Sequence, residues 1–75
     1  MSRLPRVTGA ELARALQRAG FVFVDVNGSH HHLHKPGSAF VVTVPVHAGR
    51  TILPWLLTSI LRQAGMTADQ LRQYL

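Results

Sequence analysis

The sequence predicts an α+β fold of order α-β-β-β-α: a three-stranded antiparallel sheet with helices on one face and a short C-terminal helix. Three observations predict it. Two segments carry helix-start signals followed by helical periodicity. The stretch between them changes to strand-like runs punctuated by Asn27-Gly28 and Pro36-Gly37. Finally, 75 residues of which 47% are hydrophobic suffice for one small core and exceed what a disordered tail would carry.

Thr8-Gly9-Ala10-Glu11 has the spacing of a capping box, so the first helix is expected over residues 8–19. Leu12, Leu16 and Ala19 form its apolar face, and Gly20 supplies a left-handed stop. Phe-Val-Phe-Val-Asp-Val from Phe21 reads as the first strand, closed by Asn27-Gly28. Ser29 to Lys35 follows as the second strand, and Ala39 to Val44 as the third, which Pro45 ends. Val46 to Leu53 is a connecting loop. Pro54 suits the first turn of a helix running to Ala64, with Leu57, Ile60, Leu61 and Ala64 inward and Gly65 as its stop. Thr67-Ala68-Asp69-Gln70 is a second capping pattern and opens a short helix carrying Leu71 and Leu75 inward.

Eight Lys and Arg against three Asp and Glu leave a charge of +5, so a polyanion is the natural partner. The absence of cysteine excludes disulfides and thiolate metal sites and is compatible with a reducing compartment. No apolar run approaches the roughly 18 residues of a membrane span, and the N-terminus lacks the apolar stretch of a secretion signal. A cytoplasmic protein with no membrane partner is expected.

Four of the five histidines fall within five positions: His30, His31, His32 and His34. Strand alternation places His30, His32 and His34 on one face and His31 with Leu33 on the other. Leu33 marks the second face as the one toward the helices, unless a bulge beside Gly28 reverses the order. Three chemistries fit. An imidazole with an ordinary pKa of about 6.5 suits proton transfer at a ribose 2′-hydroxyl, with RNA supplying its own nucleophile and no metal required. A metal site from His30, His32 and His34 is the second. The third is structural, with some histidines no more than solvated strand residues.

Further landmarks then accumulate: Ala19-Gly20-Phe21, Gly28-Ser29-His30-His31, Val42-Thr43-Val44-Pro45 with His47, and Ser59-Ile60-Leu61-Arg62-Gln63-Ala64-Gly65. In this order and spacing the chain, from Thr8 to Leu75, resembles the HicA-type mRNA interferase toxins of type II toxin-antitoxin systems, the YcfA-like family. The resemblance implies a double-stranded-RNA-binding-like fold and one HicA-like toxin domain over 1–75, with residues 1–7 a flexible lead. It also implies a metal-independent endoribonuclease, without cofactor, that cleaves mRNA, inhibits translation and growth, and is silenced by a cognate HicB-like antitoxin. Carried over, the catalytic histidine falls on His30, with His31 its rival. Gly28 and Ser29 lead into the motif, either as RNA-binding residues, with Ser29 donating to a phosphate oxygen, or as plain turn residues, and Lys35, Arg50 and Arg62 are further RNA-binding candidates through phosphate. Arg14, Arg18 and His47 are weaker ones. Pro54 is kept, whereas Leu53, Trp55 and Thr58 stand where the family carries a lysine, a small residue and an arginine. Trp55 then serves either to stack on an unpaired base or to pack in a core or protein interface. The alternative is a non-catalytic RNA-binding or antitoxin-binding module on the same fold.

Overall fold

A computed structural model describes residues 3–75. Its elements are α1 (Gly9–Arg18), β1 (Val22–Asn27), β2 (His30–His34), β3 (Val41–Pro45), α2 (Pro54–Ala64) and α3 (Ala68–Arg72), the α+β order expected. The capping box at Thr8 is formed in full: the Glu11 amide donates to the Thr8 hydroxyl at 3.2 Å, and the Thr8 amide donates to Glu11 at 2.8 Å. Thr67 and Gln70 repeat the arrangement at the start of α3.

Both long helices end by the same device. The Phe21 amide donates to the Leu16 carbonyl at 2.9 Å and the Gly20 amide to Gln17 at 3.1 Å, with Gly20 at φ +105°. Met66 and Gly65 make the equivalent bonds to Leu61 and Arg62. Phe21, expected to open the first strand, is thereby drawn into the core beside Leu16, and β1 begins one residue later.

The sheet order is β1-β2-β3, antiparallel throughout, so β2 is central. The β1–β2 loop is Gly28-Ser29 rather than the expected Asn27-Gly28, because Asn27 pairs with His30. Gly28 has φ +62°, while no described non-glycine residue has positive φ, a pattern that matches a type II′ turn. Pro45 is the last residue of β3 rather than a stop before its end, which costs no ladder bond because it lies on an edge strand.

The core lies on one face of the sheet. Leu33, Val42 and Val44 meet Leu12, Ala15 and Leu16 of α1, Leu57, Ile60, Leu61 and Ala64 of α2, and Leu71 of α3. Ala15 rather than Ala19 completes the buried face of α1, and Leu75 is 48% exposed instead of inward. Residues 1 and 2 of the expected flexible lead lie outside the described residues, but Val7 is a core residue at 1% exposure. Its carbonyl accepts from the Ile52 amide at 2.8 Å, and Thr8 bridges Thr51, so the loop before α2 is fastened to the start of α1. Gly9 sits so close to the end of β3 that any Cβ would overlap the Pro45 carbonyl oxygen. Among the described residues no helix is long and apolar enough to cross a membrane.

Candidate active site

With the helices on one face, the other face of the sheet is open, and its composition follows from strand parity. His31 pairs with Val44 and Leu33 with Val42, which assigns both to the helix side. His30, His32 and His34 therefore point outward, opposite Pro45, Thr43 and Val41.

In β1 the parity is broken. Phe23 pairs with Leu33, but the next pair is Asp25 with His32, leaving Val24 as an extra residue in a β-bulge. Regular pairing would send Asp25 toward the helix side. The bulge rotates it outward instead, where its Oδ1 lies 3.9 Å from His32 Nε2. The Nδ1 of the same ring is hydrogen-bonded to the Thr43 hydroxyl at 2.9 Å. One row across three strands therefore reads carboxylate, imidazole, hydroxyl. Val24, Asp25, His32, His34 and Val41 line a shallow basin of about 530 Å³ on this face.

The other histidines have different settings. His34 Nε2 donates to the Ser38 carbonyl at 3.1 Å, which ties it to the β2–β3 turn. His31, on the helix side, stands edge-on to Phe23 with centroids 5.7 Å apart. His30 is exposed at the start of β2, immediately after the Gly28-Ser29 turn. Ser29 fixes that turn through its carbonyl, which accepts from the Val46 amide at 2.7 Å. Gly28 serves as the positive-φ turn residue, with open space where a Cβ would stand.

A second hollow begins where His30 ends. Pro45, the partner of His30, lines a groove of about 520 Å³ together with His47, Arg50, Ile52, Leu53 and Leu56. Arg50 thus lies in a concave surface adjoining the histidine strand. Leu53 and Trp55 stand at the start of α2, 58% and 69% exposed, so Trp55 is not a core residue.

The other cations named from the sequence, Lys35, Arg62, Arg14 and Arg18, do not converge on this end. Lys35 lies beyond the last residue of β2, roughly 16 Å along the strand from His30. Its Nζ sits 5.8 Å from the Phe21 ring centroid, a cation–π contact on the helix side. Arg62 is exposed in the last turn of α2, about 12 Å along the axis from Pro54. Arg18 donates to the Tyr74 carbonyl at 2.7 Å, and Arg14 lies on the exposed face of α1.

Sequence reasoning missed Asp25 and Thr43. Each carried a signal, as the single charge in an otherwise apolar run and the single hydroxyl among valines, but the bulge that aligns them has no mark in the sequence. Comparison with known families adds one match: a model described as the HicA toxin of bacterial toxin-antitoxin systems covers residues 9–66. No curated protein matches the chain.

Proposed function

The chain belongs to the HicA toxin family of bacterial toxin-antitoxin systems, and from that premise we propose that it is an endoribonuclease that cleaves mRNA with His30 as a proton-transfer group. The whole chain, 1–75, acts in this reading as a single toxin domain. Its cleavage of messages halts translation and growth until a HicB-like antitoxin covers it.

The observation that carries the reading is the position of His30. It is exposed, has no side-chain hydrogen bond among the described residues, and follows the Gly28-Ser29 turn next to a groove containing His47 and Arg50. A histidine without a competing partner is available to a ribose 2′-hydroxyl, and a neighbouring guanidinium can neutralise the phosphate under attack. The nucleophile comes from the substrate, so the reading requires no metal. The three carboxylates also sit on three elements: Glu11 in its capping box, Asp69 paired with Arg72, and Asp25 beside His32.

The test is cleavage of a single-stranded RNA with chelator in excess. The purified protein is expected to yield fragments ending in 2′,3′-cyclic phosphate. His30→Ala is expected to lose about 10²- to 10⁴-fold in rate while remaining folded, and His31→Ala to keep most of it. Full activity in the His30→Ala/His31→Ala double variant would remove the mechanism. The exposed pair Leu53 and Trp55 favours a second reading, a module that holds RNA or antitoxin without cutting. It predicts salt-sensitive RNA binding with no products.

A further inference from the structure

Cleavage by a 2′-hydroxyl involves two protons, one leaving the attacking oxygen and one reaching the departing 5′ oxygen. His30 can serve only one of them at a time. We propose that His32 is the general acid for the departing oxygen, with Asp25 and Thr43 as its positioning residues; this rests on the endoribonuclease reading above.

The geometry separates His32 from the other histidines of β2. It shares the open face with His30 at a spacing of two strand residues, roughly 6.6 Å between backbones, so a phosphate placed between them is within reach of both rings. His31 points to the opposite face. His34 spends its Nε2 on the Ser38 carbonyl and lies a further two residues away. His32 alone is held by both neighbouring strands. The Thr43 hydroxyl fixes Nδ1, which leaves Nε2 as the nitrogen that meets substrate. Asp25 stands within ion-pair distance of that nitrogen when it carries its proton, and the His32 side chain as a whole is 34% exposed. The groups facing His32 are Asp25 from β1, His30 and His34 from β2, and the uncharged Thr43 and Val41 from β3.

The step balances without a co-reactant. His30 accepts the 2′ proton as the O2′–P bond forms. The P–O5′ bond breaks, its electron pair goes to O5′, and O5′ takes the proton from His32 Nε2. The products are a 2′,3′-cyclic phosphate and a 5′-hydroxyl. Exchange of protons with water then resets the two rings.

Two substrates test the assignment: a dinucleotide whose leaving group is a 5′-hydroxyl, and uridine 3′-(4-nitrophenyl phosphate), whose nitrophenolate departs without a proton. His32→Ala is expected to lose about 10²- to 10⁴-fold on the dinucleotide and to recover nearly all of that loss on the nitrophenyl ester. His30→Ala is expected to lose on both. His32→Gln, which keeps a hydrogen-bonding group beside Thr43, repeats the test in a variant whose sheet contact is retained, and thermal melts of both confirm folding. Equal losses on the two substrates, or no loss on either, would overturn the role of His32 while leaving His30 in place. A wild-type protein inert on both would overturn the endoribonuclease reading and this assignment with it.

Discussion

Asp25 and His32 come together through one added residue in β1, and their separation of 3.9 Å decides how strong the coupling is. At that distance, with the carboxylate side chain 67% exposed, the pair has the worth of a surface ion pair, up to about 1 kcal/mol. Asp25→Asn is therefore expected to slow dinucleotide cleavage by no more than about fivefold, far less than His32→Ala. Removing the acid from the face proposed to meet RNA should also tighten RNA binding, so steady-state kinetics should show kcat and KM falling together. A loss as large as that of His32→Ala would mean that Asp25 itself handles a proton. At this scale the outward aim of His30 was legible from alternation alone, because β2 is unbroken between His30 and His34. Asp25 was not, because simple alternation would send it to the helix side and the bulge has no mark in the sequence.

Among the elements, α1 was the most legible, since its beginning and end are written in local chemistry. Thr8, Glu11 and Gly20 make the contacts that their spacing announces. The backbone amide of Thr8, and then its hydroxyl, hold the Glu11 carboxyl below its ordinary value of 4.5. A depressed value in the folded state means that the charged form is favoured by folding. The stabilisation is thus complete above 4.5 and is lost as pH falls through the lower folded-state value. Thermal melts from pH 6 down to pH 3 are expected to show a smaller acid-side decline for Glu11→Gln than for the wild type, since glutamine keeps the capping contact without titrating. Parallel declines would remove Glu11 as a source of acid sensitivity. The strand boundaries were less legible. Phe21 lies within a run of strand-forming residues, yet burial against Leu16 captures it for the helix terminus.

For the molecule as a whole, charge was legible as a total but not as a distribution. A net +5 says that a polyanion is favoured, whereas Lys35, Arg50 and Arg62 end on separate parts of the surface. The groove holding Arg50 exists because residues 51 and 52 are fastened to residues 7 and 8, contacts between segments more than forty positions apart. No local pattern announces such a tie. RNA affinity measured against salt in the His30→Ala background should fall with a log–log slope that Arg50→Ala reduces by about 0.7, the share of one phosphate contact on a single strand. Lys35→Ala, whose ammonium already rests on Phe21, should leave the slope nearly unchanged. Equal changes for both would mean that RNA crosses the helix side as well.

The extra residue at Val24 also bears on solubility. β1 is an open edge with Val22, Phe23, Val24 and Val26 all exposed, the composition of a strand that invites fibril-like stacking. A kink in the middle of that edge prevents a flat partner from docking along it. The residue that turns Asp25 toward His32 thus also interrupts the apolar edge, a device by which sheets discourage edge-to-edge pairing. Loss of one codon there would shift the phase of the rest of the strand, turning Asp25 away from His32 and leaving a straight apolar edge open to pairing.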